Sequence, residues 1–269
     1  MANRKIQVLS NFTGVAPGQW ATLDVPLGRT YHSFALTITR TVGLSTFGAY
    51  IAAFGDLRVK INGRTEIEIA MSDLYQRNIM FGLNEVDGVC VLPLDLFWLR
   101  DRITQEVGCY GTGGISSMQL EVFVKDTEFP VTSIAVHAET SANRVFGSHL
   151  VIRRFNDDFA GAGRFQITDI PRGAAVLTGL RFLTSNFDQI TVESDGNAIS
   201  ESTVKTRAQS LGRDGRVVPA GQTFIDFTPH NIFEDVAGLA VNSFVAKIEA
   251  LGAANFQYYL ETVEPGLAA

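Results

Sequence analysis

The side chains of this 269-residue chain with most chemistry to offer are four histidines, two cysteines and a run of adjacent acids. His32, His137, His149 and His230 stand far apart, outside the close spacing of zinc ligands, and no His-x-His pair occurs. Each reads as a surface or hydrogen-bonding residue. Gly43-Leu-Ser-Thr-Phe-Gly48 has one residue too many after its serine for a nucleophile elbow, and its apolar surroundings point to packing. Gly108-Cys-Tyr-Gly-Thr-Gly-Gly114 lacks the Lys-Ser/Thr that completes a phosphate loop, and reads as a flexible loop. Asn11-Phe-Thr13 has the form of a glycosylation sequon, which acts only in a secreted chain. Asn156-Asp157-Asp158 places two carboxylates side by side, and a loop holding them could bind Ca²⁺ with help from backbone oxygens. The alternative is a solvated turn. No acid/base pair stands out, so catalysis is not expected.

Composition narrows the remaining classes. Hydrophobic residues make up 46% and charged residues 19%, enough apolar material for a core and too little charge for disorder. Phe is abundant at 19 copies and Met sparse at 4, a bias toward pleated, half-buried surfaces. The net charge is −6, and the only N-terminal basic residues are Arg4 and Lys5, with no Arg-rich arm. Phosphate backbones need clustered Lys and Arg, so direct nucleic-acid contact is not expected. Met-Ala-Asn-Arg-Lys leads into polar alternation, so no secretory signal is expected. No apolar run is long enough to cross a bilayer as a helix. Cys90 and Cys109 make no framework and read as free thiols.

The elements that position these residues occur twice. Ile6–Gly28 aligns without a gap with Val151–Gly173 at an offset of 145, with identities at Asn11/Asn156, Gly18/Gly163, Asp24/Asp169, Pro26/Pro171 and Gly28/Gly173. Trp20/Phe165 and Val25/Ile170 are conservative pairs. A strand that ends in Pro-x-Gly is a positional device, and both copies have it. Leu57-Arg-Val-Lys-Ile-Asn-Gly63 and Ile190-Thr-Val-Glu-Ser-Asp-Gly196 then form a second pair, at an offset of 133, each ending in a dipeptide suited to a type I′ hairpin. Helices capped by Ser72 (Asp73–Phe81) and Ser202 (Thr203–Leu211, ended by Gly212) follow. Leu92–Phe97 and Thr228–Phe233 form a further echo at an offset of 136. Each half is expected to close on an alternating strand, Met118–Val124 in one and Phe256–Leu260 in the other.

About eight strand-like runs per copy, with turn signals every 8–12 residues, argue a sandwich rather than βαβ units. The fold class is all-β, a tandem double jelly roll with a short helix in each eight-stranded unit. The units are read as residues 1–130 and 149–269, with 131–148 as connector containing a strand at Val131–Val136. The first copy has about 12 extra residues near Val42–Phe54, a stretch without charge that serves either as a buried seal or as a contact surface.

The start of the chain, Met1-Ala-Asn-Arg-Lys-Ile-Gln-Val-Leu-Ser10, and its whole length resemble the major capsid proteins of the corticoviruses, icosahedral bacteriophages with a membrane inside the shell. The resemblance implies a structural virion protein, made in the host bacterial cytoplasm, whose strands stand roughly perpendicular to the shell. It implies a homotrimer whose six jelly rolls give a pseudo-hexagonal capsomer, contacting neighbouring capsomers and minor, membrane-associated virion proteins. It also implies stabilisation by Ca²⁺, which makes Asp157 and Asp158 the residues to test. The rival readings are a carbohydrate- or receptor-binding jelly-roll module, which wants exposed Trp and Tyr at loop tips, and a jelly-roll enzyme, which wants more histidines. Trp20 and Trp98 fall within strand-like runs, against the first rival.

Overall fold

A computed structural model describes residues 4–40, 51–83, 86, 88–125, 130–168, 170, 175–233 and 244–266. The chain forms β1 (Lys5–Val8), β2 (Gln19–Asp24), β3 (Arg29–Arg40), β4 (Phe54–Ile61), β5 (Arg64–Ala70), α1 (Met71–Met80), β6 (Val89–Pro93), the one-turn α2 (Arg102–Gln105), β7 (Tyr110–Gly111), β8 (Met118–Val124) and β9 (Val131–Ala142). The second copy follows as β10 (His149–Phe159), β11 (Gly163–Ile167), β12 (Val176–Phe182), β13 (Phe187–Ser194), β14 (Asn197–Thr203), α3 (Val204–Arg213), β15 (Thr223–Asp226), β16 (Phe244–Ala250) and β17 (Ala254–Glu264).

Strand orders repeat between the copies. The first unit has the sheets β1-β9-β3-β6 and β2-β8-β4-β5, and the second has β10-β17-β12-β15 and β11-β16-β13-β14. One sheet from each unit joins edge to edge through the parallel pair β5–β10, giving a continuous eight-stranded sheet. Period-2 patterning explains how each sheet covers its core: β8 and β16 bury every second residue. The hairpin turns are as expected, with φ of 49° and 82° at Asn62 and Gly63 and of 49° and 79° at Asp195 and Gly196. Positive φ at both positions is what a type I′ turn demands.

Bulges fix the correspondence position by position, because a bulge is a built feature of a strand pair. The bulge at Tyr31/Ser33 recurs at Leu177/Gly179, an offset of 146 from Tyr31 to Leu177. Those at Val59/Lys60 and Val192/Glu193 are related by an offset of 133, and the irregularities that begin at Phe54 and Phe187 start at the same offset. β8 therefore corresponds to β16, and β9 to β17. The expected pairing of Met118–Val124 with Phe256–Leu260 is corrected: the first unit closes on β9. The strand expected at Val131–Val136 runs on to Ala142 and lies between β1 and β3, so most of the stretch read as connector is core sheet.

The ungapped offset of 145 is corrected in the same way. Leu23 pairs with Leu120 and Ile167 with Ala246, which relates β2 to β11 by an offset of 144, from Leu23 to Ile167. A one-residue slip exchanges the faces of a strand, and Trp20 and Phe165 indeed lie on opposite faces. The Leu92/Thr228 echo shifts similarly, since Ser33–Pro93 corresponds to Gly179–Asp226 at 133. Neither serine caps its helix. α1 starts at Met71 without a side-chain cap, and Thr203 caps α3 by accepting from the Thr206 amide. Gly212 lies within α3. Trp98 is in a turn, not a strand. Within Val42–Phe54, residues 42–50 lie outside the described residues, and Ala53 and Phe54 are buried. Asp169, Pro171 and Gly173 also lie outside them.

Candidate functional site

Ionisable chemistry concentrates where the two units meet. α1 follows β5 directly, and its first turn brings Asp73 and, one turn later, Arg77 to the second unit. Arg77 is fully buried and grips Glu261 of β17, its Nε 2.9 Å from both carboxylate oxygens and its Nη2 2.8 Å from Oε2. The Asp73 carboxylate accepts from the Tyr259 hydroxyl at 2.7 Å, and its backbone oxygen accepts from Arg181 Nη1 at 2.7 Å. Burial pushes the Tyr259 hydroxyl well up and the Arg181 guanidinium down, while Glu261 and Asp73 hold the latter charge in place. A second buried pair, Arg216 with Asp226 at 2.9 Å, flanks the first. Between them Phe81 and Trp98 stack at 3.8 Å, and Trp98 Nε1 donates to Thr228 Oγ1 across the joint. At the rim Arg154 of β10 makes two 2.8 Å hydrogen bonds to Asp56 of β4 and one of 3.2 Å to Glu68 of β5. Alternating charges held in ion pairs at Arg77–Glu261, Arg216–Asp226 and Arg154–Asp56 make this a lock between units rather than a reaction centre.

The described histidines also read as structural. His32 is buried, with Nε2 2.8 Å from Ser141 Oγ and Nδ1 3.1 Å from Cys109 Sγ. Burial lowers the imidazole to about 4 and drives the thiol upward, so both are neutral, the reverse of a thiolate–imidazolium nucleophile. Cys90 is likewise a buried free thiol. His149 Nε2 lies 3.6 Å from the buried Glu66 at the joint. Among the described residues no three His, Cys, Asp or Glu side chains converge as a metal cluster.

His32 and its neighbour Asp95 set the response to acid. The imidazole binds its proton more weakly in the fold, so its stabilisation is complete above pH 6.5 and lost as pH falls toward 4, on the order of 3 kcal/mol. Asp95 goes the other way: burial, opposed by Arg4 at 2.9 Å, raises it to about 6, so acidification relieves a penalty between pH 6 and 3.8. The two slopes oppose each other. Asp95→Asn should steepen the loss of stability from pH 6.5 to 4, and His32→Gln should flatten or reverse it, read from urea midpoints. Identical slopes for wild type and both variants would sink the assignment.

Asp157 and Asp158 lie in regular strand β10, not in a loop, opposite Phe256 and Asn255 of β17. Successive strand residues project to opposite faces, so the two carboxylates do not converge on one cation, and Asp157 Oδ1 instead accepts from the Asp158 amide at 2.9 Å. The pair does not fit a chelating Ca²⁺ site. Nor do the tryptophans fit a sugar platform, since Trp98 is buried against Phe81 and Trp20 lies under Arg58 at 4.2 Å. Sequence reasoning missed Arg77, Arg154 and Glu261; the one signal available was a charge inside an otherwise core-forming strand, as Glu261 is in Phe256–Val263.

Among the described residues, β1 and β14 are open strand edges. β1 ends one sheet and presents Ile6 and Val8 at 78% and 66% exposure, and β14 ends another and is accessible on both faces. Beside β14, a cavity of about 550 Å³ is lined by Ser200, Ser202, Thr206, Arg207 and Ser210.

Comparison with solved structures finds this architecture in viral shells. The major capsid protein P2 of bacteriophage PM2 superposes with a TM-score of 0.87 over 98% of each chain at 17% identity. A chain of Sulfolobus turreted icosahedral virus gives 0.66 at 9% identity, covering 97% of this chain and 90% of that one. PBCV-1 VP54 gives 0.62 at 8%, covering 100% and 98%. At these identities the likeness shows the fold, the double jelly roll. A search of curated protein sequences finds no match. Two family profiles cover nearly the whole chain: the viral coat protein P2 N-terminal domain matches residues 6–141 and its C-terminal domain residues 150–266. The chain thus belongs to the viral coat protein P2 family and is a structural protein of the virion capsid.

Proposed function

We propose that three copies of this coat protein close into a ring of six jelly rolls, the pseudo-hexagonal capsomer of an icosahedral shell. One observation carries the reading: the edges that join the units within a chain, β5 and β10, have counterparts in β14 and β1, and both counterparts are open among the described residues. The operation that carries the first unit onto the second, applied again, sets β1 of another copy against β14. Such a head-to-tail contact gives a closed ring when its rotation divides a full turn, and a two-domain chain then needs half as many copies as the ring has positions. The net charge of −6 supports a shell that does not touch the genome directly, with neighbouring capsomers and minor, membrane-associated virion proteins as its partners over an internal membrane. Within this chain no described cluster of acids supports a Ca²⁺ role for Asp157 and Asp158. The variant Asp157→Asn/Asp158→Asn should leave the chelator sensitivity of assembled particles unchanged, and a lost sensitivity would restore that site.

The test of the ring is the mass of the purified protein by light scattering, expected at three chains. A monomer at every concentration would overturn it.

A further inference from the structure

We propose that the cavity between β14 and α3 receives the Glu139 carboxylate of a neighbouring copy, with Arg207 and Ser210 as its partners. This deepens the ring reading and rests on it.

The correspondence between units selects the residues. Glu261 pairs with Ile152 in β17–β10, and Glu139 pairs with Ile6 in β9–β1. From Ile6 to Ile152 the offset is 146, the value set by the bulges of that sheet. Glu139 is therefore the first unit's counterpart of Glu261. At the offset of 133 that governs the hairpins, Ser210 of α3 is the counterpart of Arg77. Within the chain Arg77 and Glu261 fill the joint, and the cavity lined by Ser210 is the same place left empty at the open edge.

Ser210 brings no charge, but Arg207 lies one turn before it on the same helix and lines the same cavity. Arg207 is 8% exposed and donates to Ser200 Oγ at 3.0 Å and to the Ile190 carbonyl at 3.1 Å, while its Nε has no partner. No carboxylate lies within ion-pair distance of it among the described residues; the buried Arg77 and Arg216 each have one, and the buried Arg181, which has none, is held by the nearby charges of Glu261 and Asp73. Burial alone draws it down to about 10. A buried cation without a countercharge is costly unless something supplies one. The acids already lining the cavity have other partners: Asp226 holds Arg216, Asp214 lies 3.3 Å from His230, and Glu201 accepts from Gln189 at 2.9 Å. Glu139 is free to turn outward, since its ion pair with Arg4 is 3.5 Å long and Arg4 has a 2.9 Å bond to Asp95. His137, two residues before Glu139 on the same face of β9, falls opposite Thr206, as Tyr259 falls opposite Asp73 in the closed joint.

Two independent measurements test the contact. Glu139→Gln and Arg207→Gln should each weaken association of copies about tenfold to a hundredfold, the range of a charge-assisted hydrogen bond, and the double variant should be no weaker than either single one. The variant Glu139→Cys/Ser210→Cys should be cross-linked between chains by a bis-maleimide that spans the reach of an Arg–Glu pair, ending at the covalent ring. Losses that add, or a double-cysteine variant that forms rings without cross-linking, overturn the contact and leave the ring standing. A wild-type chain that never associates removes the ring and the contact together.

Discussion

Replacing Glu261 with Leu is expected to cost about 3–5 kcal/mol in unfolding free energy, and replacing Arg77 with Met somewhat less, as measured by urea denaturation. The order follows from what each change strands. Glu261 is the anion for Arg77 through three hydrogen bonds of 2.8–2.9 Å and also favours the charge of the fully buried Arg181. Its loss leaves two buried cations short of an anion, whereas the loss of Arg77 leaves Glu261 beside Arg181. The double variant Arg77→Met/Glu261→Leu removes both charges at similar volume and should recover most of the loss, since well-packed apolar pairs often equal a buried ion pair. The exposed-side pair Arg64–Glu264, at 2.9 Å but with Arg64 half accessible, should by contrast give at most about 1 kcal/mol. Equal, small losses at both pairs would mean that the lock between units does not hold the chain together. The lock matters for assembly because it sets the angle between units that every copy in a closed ring must repeat.

How much of this was legible without coordinates depends on the range of the interaction involved. Local signals read well: Asn62-Gly63 and Asp195-Gly196 turn as type I′ because only residues tolerant of positive φ suit those positions. Alternation located β4 and β8 because each covers a core on one face only. Register between copies did not read well. A bulge inserts one residue with no compositional mark, so the ungapped offset of 145 fell between the true 146 and 144 and put Trp20 against Phe165. β9 was cut short because its alternation is polar on the outer face, with Ser133, His137 and Glu139, and looked like a connector. The joint was invisible for a different reason. Arg77 and Glu261 are 184 residues apart, and each alone resembles a solvated charge. Asp157 and Asp158 misled in the opposite sense, since adjacency in sequence looks like a chelating pair but becomes opposition across a strand.

The same substitution at corresponding positions separates folding from assembly. Ile6 and Ile152 are counterparts in β1 and β10, yet Ile152 is fully buried, paired with Ile67 across the joint, while Ile6 is 78% exposed. Ile152→Asp places an unpaired carboxylate in the closed joint and should leave little folded protein, a loss of several kcal/mol by the burial of an unpaired charge. Ile6→Asp should fold with an unchanged thermal midpoint, because its side chain touches little within the copy. In the ring, however, Ile6 occupies the place that Ile152 fills in the chain, opposite Ser200 and next to Glu201 of the neighbouring copy. An aspartate there brings like charge and a desolvation cost to an edge built for strand addition, so the chain should remain monomeric by light scattering. An open strand edge with two large apolar side chains would otherwise be a liability for a chain that works alone, and natural edges are blunted by charge or proline. In the proposed ring a second copy covers Ile6 and Val8. A stable, monomeric Ile6→Asp beside an unfolded Ile152→Asp is the result this account requires; an Ile6→Asp chain that still forms rings would place the contact between copies elsewhere on the molecule.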